Sequence, residues 1–394
     1  MANIAVRLNQ KAAVAIRKGH PWVFSDSILK ISRDGSPGDT VILFDQTGKN
    51  WIGAGVYDPG SPVRVRILTT KRNDPPVGEL LFRHLLQKAL EFRIPQIPPE
   101  TNAWRILNGE SDYFSGLVAD KYSDTAVLKV YSSAWIPHIP LLRILLTETV
   151  PGVKSTVLRF SRELQKKYSC VEDGSEGVTE FLENGIRFKA DLLHGQKTGF
   201  FLDQRDNRAQ VRDLAAGKRV LNVFSFSGGF SLASAKGGAK EVISVDADGH
   251  ALDACADHFK INSHIPQIAS CRHSELRGDA FEIMYSLAEK KQKFDIVIVD
   301  PPSFAKSKAE IPAALNTYSR LAGLAVKLCV PGGLLVFASC SSRVHADELF
   351  QKVKNSASAS GRPLKEWKRT AHAFDHPALF PESSYLKCMY AEVR

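Results

Sequence analysis

A chain of 394 residues with 44% hydrophobic and 24% charged residues has the length of two or three domains, and without a run of about 18 apolar residues it contains no membrane span. A net charge of +10 favours an anionic partner, with nucleic acid ahead of a lipid surface. Six cysteines (170, 255, 271, 329, 340 and 388) never form Cys-x-x-Cys, and no apolar leader precedes them. Those features exclude a disulfide scaffold, a zinc ribbon and a signal peptide, and they imply a reducing, cytoplasmic setting with no metal site.

Residues 1–75 are expected to form a small β-barrel. Val41–Asp45 and Trp51–Tyr57 flank a turn as a hairpin, and the alternation in Pro62–Leu68 puts Arg64 and Arg66 on one face. This stretch holds 11 Lys/Arg against 6 Asp/Glu, a net of +5, which marks it as the expected RNA-contacting part. Trp22 and Phe24 lie beside that charge, with core packing favoured over base stacking. Asn73–Pro76 is a linker, and a helix over about 78–93 follows, with Leu80, Leu81, Leu85, Leu86 and Leu90 on one side. Residues 76–190 read as a small α+β unit with strands at Leu117–Tyr122, Ala126–Tyr131, Ser155–Phe160 and Phe181–Phe188, and a helix over about 138–149. From 191 to 394 the pattern changes to helices alternating with nearly continuous apolar runs: Arg219–Phe224, Glu241–Asp246, Phe294–Asp300 and Gly333–Ala338. Such runs belong to strands covered on both faces, so this part is expected to be a doubly wound, Rossmann-like parallel sheet.

Ligands of such sheets bind outside the carboxyl ends of the strands. Ser225-Phe226-Ser227-Gly228-Gly229 follows the first strand and enters a helix, where glycines admit close backbone approach. Asp246 ends the second strand and is placed to accept two ribose hydroxyls. Together they imply a nucleoside-containing cofactor, while the absence of G-x-G-x-x-G and of a phosphate loop weighs against NAD and ATP. Asp279 is placed either to bind an adenine amine or to cap a helix. Asp300-Pro301-Pro302-Ser303-Phe304 is a stiffened turn that directs a carboxylate and carbonyls toward a base edge, with Phe304 to stack on a planar ring.

These parts resemble a class I S-adenosylmethionine-dependent methyltransferase acting on nucleic acid. His194–Arg208, Val220–Phe230, Asp300–Phe304, Ser339-Cys340-Ser341 and Phe380–Lys387 are together similar to the ribosomal large-subunit methyltransferase I family, 23S rRNA cytosine-C5 methyltransferases. The N-terminal part, including Gly19–Phe24, is similar to that family's PUA RNA-binding domain, and the middle unit to its EEHEE domain. The resemblance implies S-adenosylmethionine as cofactor, RNA as partner, no membrane and a homodimer. It places Asn222, Phe224, Ser225 and Gly228 at the methionine end, Asp246 at the ribose, Asp279 near the adenine, and Thr198, Gly199 and Phe200 on the opposite side. Arg205 is assigned to the cofactor carboxylate. Pro301, Pro302 and Phe304 would bind the target base.

Cytosine C5 is a weak nucleophile, and a thiolate added at C6 activates it. Cys340 is the expected nucleophile and Asp300 the residue holding the base edge. The general base stays open: Lys387 stands where related uridine-C5 enzymes carry a glutamate, and Glu382 and His376 are the nearby candidates, with a structural role favoured for either. Two other readings stand beside this one: amino-group methylation of adenine or cytosine, which needs no cysteine, and an RNA-binding assembly module that performs no transfer.

Overall fold

Alternating and continuous apolar patterns both become sheets here, and the two kinds segregate into different parts of the chain. The computed structural model describes residues 3–168, 173–174 and 177–394, so Cys170 lies outside the described residues. These residues form two compact units.

The first unit comprises Met1–Leu182, Ala190–Leu202 and Phe374–Phe380. Its N-terminal sheet has six strands in the order Trp22–Phe24, Val63–Thr69, Trp51–Tyr57, Thr40–Phe44, Ile4–Leu8, Ile28–Ile31. The expected hairpin is present, with Thr40 opposite Val56 in antiparallel register. Ile4, Val6, Leu8, Val41, Leu43, Val65 and Ile67 fill the core, the buried alternate positions of their strands. The two arginines of Val63–Thr69 differ in exposure. Arg66 is buried, its Nε donating to the Ser132 hydroxyl at 2.6 Å with Asp58 3.8 Å away. Only Arg64 of the pair keeps partial exposure, because Asp58 draws the other guanidinium inward. Trp22 donates its indole N–H to Ser115 at 2.9 Å and meets Phe380 edge-to-face, so it works as packing.

A four-stranded sheet follows, ordered Ser155–Phe160, Thr125–Val130, Leu117–Tyr122, Ala103–Asn108, with helices Glu79–Arg93 and Ile139–Thr149. Leu81, Leu85, Leu86 and Leu90 are buried on the first helix, whereas Leu80 is 68% exposed, one position off the apolar stripe. The single strand expected over 181–188 is two, Val178–Glu183 and Ile186–Asp191, because Asn184 and Gly185 both take positive φ (49° and 71°). An Asn-Gly pair in that conformation is a two-residue hairpin turn.

The second unit comprises Glu183–Lys189, Asp203–Ala373 and Pro381–Arg394. Its strands are β1 (Arg219–Val223), β2 (Glu241–Asp246), β3 (Arg272–Arg277), β4 (Phe294–Val299), β5 (Cys329–Ser339), β6 (Leu364–Thr370) and β7 (Lys387–Val393). Helices α1 (Arg205–Leu214), α2 (Gly229–Lys236), α3 (Gly249–Ile261), α4 (Pro266–Ser270), α5 (Ala280–Glu289), α6 (Ile311–Leu328) and α7 (Ala346–Ala359) connect them. The sheet order is β3-β2-β1-β4-β5-β7-β6, parallel from β3 to β5, with β7 antiparallel to both its neighbours. The order reverses at β1, so the carboxyl ends of β1 and β4 open at a topological switch point. Leu221, Val223, Val297, Val299, Leu335 and Phe337 form the buried centre of the sheet.

One buried ion pair fastens α1. Arg208 forks onto Glu183, Nε and Nη2 each 2.6 Å from a carboxylate oxygen, with both side chains buried. Arg208→Ala strands the carboxylate without its cation and is expected to cost about 3–5 kcal/mol, read as a lowered midpoint in urea unfolding. The double change Arg208→Met with Glu183→Leu is expected to recover most of that loss.

Candidate active site

The loop after β1 turns through two left-handed residues, Phe224 (φ 63°) and Phe226 (φ 47°), an expensive conformation for aromatic side chains. The turn brings the Phe226 N–H to Asp246 Oδ2 at 2.7 Å, while the Asp248 N–H donates to Oδ1 at 3.0 Å. Asp246 is thereby oriented at the end of β2 and stays half-exposed, with acceptor capacity left over. The Ser225 hydroxyl beside it is buried without a hydrogen-bond partner. Gly228 has φ 82°, and a Cβ there would sit 2.2 Å from Cys255 Sγ. That glycine is demanded by the start of α2 and by the packed thiol.

Two other expected cofactor residues have partners within the protein and acceptors to spare: buried Asn222 Oδ1 has no hydrogen-bond partner, and Asp279 is exposed. Asn222 is buried and donates to Ser231 at 2.9 Å, in a chain continuing through Ser244 to His273 and Cys255. Burial holds the His273 ring at about 4 and the Cys255 thiol at about 12, so both are neutral members of a buried network. Asp279 caps α5, accepting from the N–H groups of Phe281 and Glu282 at 2.9 and 3.2 Å. Arg205 is fully buried with its Nε 3.3 Å from Asp206. Thr198, Gly199 and Phe200 belong to the first unit. There the Thr198 hydroxyl donates to Asp120 at 2.6 Å, and the Phe200 N–H donates to the Tyr122 hydroxyl at 3.1 Å. Gly199 has φ 133°, a conformation suited to glycine.

At the next pair of strand ends the structure brings the expected catalytic residues together. Val299 of β4 pairs with Phe337 of β5, so Asp300 and Cys340 emerge side by side. Cys340 Sγ lies 4.0 Å from the Pro301 carbonyl oxygen. Among the five described cysteines, Cys340 alone is not buried. Pro301 is buried and Pro302 exposed, and Phe304 packs against Tyr318 with ring centroids 5.0 Å apart. The Tyr318 hydroxyl lies 2.8 Å from both Ser339 and Ser341, and Ser341 is 3.0 Å from Ser303, tying the two loops together.

Two supports went unassigned in the sequence although they lie in a motif it displays. Gln204 donates from Nε2 to Asp300 Oδ2 at 2.9 Å, and Asn207 donates to Gln204 Oε1 at 2.6 Å. Asn207 is itself held by Thr370 at 2.6 Å. Asp300 is therefore oriented by a relay beginning on β6. Lys387, at the start of β7, is buried and donates to the carbonyls of Ser341 and of Val344, the latter at 2.6 Å. Desolvation lowers its ammonium to about 8, and the neighbouring Cys340 opposes that shift. Of the two base candidates, Glu382 is exposed in this unit. His376 is in the first unit, buried with Nδ1 2.9 Å from Asp375.

Residues 162–379 match the S-adenosylmethionine-dependent methyltransferase family, and residues 6–70 match the PUA-like domain. A ribosomal RNA large subunit methyltransferase from Deinococcus radiodurans is 38% identical, spanning 99% of this chain and 97% of its own. The ribosomal RNA large subunit methyltransferase I of Alteromonas mediterranea is 36% identical, spanning 96% of each. This chain belongs to the ribosomal RNA large subunit methyltransferase I family. Its fold agrees: SMU.776, assigned as a methyltransferase and solved with SAH, superposes with a TM-score of 0.82 at 21% identity, covering 99% of this chain and all of that one. A Streptococcus mutans protein assigned as a SAM-dependent methyltransferase gives 0.80 at the same identity, with 99% and 100% coverage. The family membership makes S-adenosylmethionine the cofactor. The orphaned Ser225 hydroxyl and the fixed, half-exposed Asp246 at adjacent strand ends fit a hydroxyl-bearing nucleoside. Among the described residues, no helix is long and apolar enough to cross a membrane.

Proposed function

We propose that this methyltransferase modifies C5 of a cytosine in large-subunit ribosomal RNA, with Cys340 as the nucleophile. The observation that carries the reading is the half-exposed Cys340 thiol 4.0 Å from the Pro301 carbonyl, at the strand end beside Asp300. S-adenosylmethionine supplies the methyl group. Asp246 would hold its ribose hydroxyls, with Ser225 and Phe224 lining the neighbouring turn. Asp279 shapes the third loop through its cap. Asp300, aimed by Gln204, accepts from the cytosine amino group, and Phe304 packs against the ring. The Cys340 thiolate bonds to C6, and the displaced electron pair makes C5 nucleophilic. C5 takes the methyl group, a base removes the C5 proton, and the C6–S bond breaks to restore the ring.

The direct test is mass-spectrometric mapping of modified nucleosides in large-subunit rRNA from cells with and without the gene. A 5-methylcytidine that vanishes with the gene and returns with purified protein is the expected result. Disappearance of an N-methylated base instead would favour amino-group transfer, and an unchanged profile would favour an assembly module. Asp246→Ala is expected to weaken S-adenosylmethionine binding about 10–100-fold by calorimetry, since a charge-assisted hydrogen bond is lost to each of two hydroxyls. Unaltered affinity would remove Asp246 from the cofactor site.

A further inference from the structure

A cavity of about 300 Å³ is lined wholly by residues of the first unit, none of them assigned above to the cofactor or the target base. Its wall includes Leu85, Lys88 and Phe92 of the helix Glu79–Arg93, Tyr113 after a short helical turn, Lys71 at a strand end, and Leu379. Three large apolar side chains around it stay in solvent: Phe92 is 47% exposed, Tyr113 39% and Leu379 74%. Exposed apolar side chains scattered singly mean little, but three around one cavity mark a contact surface.

Tyr113 is held in place at a cost. Its backbone is left-handed (φ 63°), a strained conformation for an aromatic residue. The turn before it is pinned by Asp112, whose carboxylate takes two hydrogen bonds from the buried Arg93 at 2.6 and 3.1 Å. Of the two acids lining the cavity, Asp112 is paired with Arg93, while Asp74 accepts from the Thr69 hydroxyl at 2.5 Å and keeps its charge, one against the lysines at the rim. Lys71 and Lys88 are exposed at the same rim, and Arg72 is exposed beside them. The cavity therefore offers aromatic faces, an apolar floor and positive charge. An unstacked base attached to a phosphate is complementary to all three.

We propose that this cavity receives an unpaired nucleotide of the RNA substrate other than the one methylated, its base against Tyr113 and Phe92 and its phosphate at Lys71 and Lys88. The proposal rests on the ribosomal RNA reading above. It is tested with the full-length protein and a large-subunit rRNA transcript carrying 5-iodouridine, irradiated so that bases touching aromatic rings crosslink. Crosslinks are expected on the peptides containing Phe92 or Tyr113. Phe92→Ala, Lys88→Glu and Tyr113→Asn (asparagine tolerates the left-handed backbone) are each expected to raise KM for the transcript about 5–30-fold, with kcat and S-adenosylmethionine affinity unchanged. Crosslinks confined to other peptides, together with KM values within about twofold of the unsubstituted protein, would overturn the proposal and leave the RNA reading intact. Loss of activity on an assembled precursor subunit with unchanged KM on the naked transcript would overturn it too, in favour of a protein partner. Failure of the unsubstituted protein to bind the transcript would overturn both.

Discussion

Cys340→Ala is expected to reduce methyl transfer to rRNA by about 10³-fold or more while leaving S-adenosylmethionine binding intact, because a nucleophile that forms a covalent intermediate has no substitute. Its position supports this: the side chain is half-exposed at the end of β5, and the other described cysteines are buried, with thiols pushed up to about 11 or 12 by desolvation. The substitution removes one sulfur atom from a half-exposed position, so a folding defect is not expected. A second measurement separates nucleophile from mere lining. RNA containing 5-fluorocytosine has no C5 proton to lose, so the C6–S bond cannot break and a protein–RNA adduct accumulates. The adduct is expected with the unsubstituted protein and absent from Cys340→Ala. Transfer undiminished in the variant would sink the covalent route and leave amino-group methylation as the better reading.

Four of the five parallel strands were legible because strands covered on both faces are written as unbroken apolar runs, and β1, β2, β4 and β5 all are. The edges of the same sheet were not: β3 (Arg-His-Ser-Glu-Leu-Arg) is parallel but polar. Leu364–Thr370 (Leu-Lys-Glu-Trp-Lys-Arg-Thr) is an edge strand with alternate exposure, and its charges hide it among loops. Lys387–Val393 is central and antiparallel, but it opens on a lysine, which a composition rule places in solvent. Arg66 shows what alternation leaves open: it tells which residues share a face, while burial of a given side chain depends on partners such as Asp58 and, 66 residues on, Ser132. At the site, Cys340 and Asp300 could be placed together because strand order and strand ends fix them. The Asn207–Gln204–Asp300 relay could not, since its members meet only when α1 is seated against the sheet. Asp279's cap was legible as one of two readings, and it uses one carboxylate oxygen of an exposed side chain, leaving the other for a ligand.

Lys387→Met carries the second large expected effect, and its pH dependence distinguishes two roles for the same amine. The ammonium is buried, donates to the carbonyls of Ser341 and Val344, and so fixes the backbone that carries Cys340. Burial depresses it to about 8, while the Cys340 thiolate pulls the other way. That coupling is mutual: if the thiolate favours the charged lysine, the charged lysine favours the thiolate. Below about pH 8 the amine is protonated and supports the nucleophile, so activity is expected to fall as pH rises through about 8. A neutral lysine serving as the base for the C5 proton would give the opposite limb, a rise through the same pH. The stability sign is independent of either role. An amine whose folded value lies below its unfolded one of about 10.4 leaves the unfolded state binding more protons between the two, so stability rises with pH across that window. Lys387→Met is expected to lose that rise and to cut transfer about 10²-fold by freeing the loop and removing the charge. Alkylation of the Cys340 peptide by iodoacetamide reads the thiolate without requiring RNA. In Lys387→Met its midpoint is expected at higher pH, and a midpoint that does not move would leave Lys387 a structural tether for the loop and nothing more.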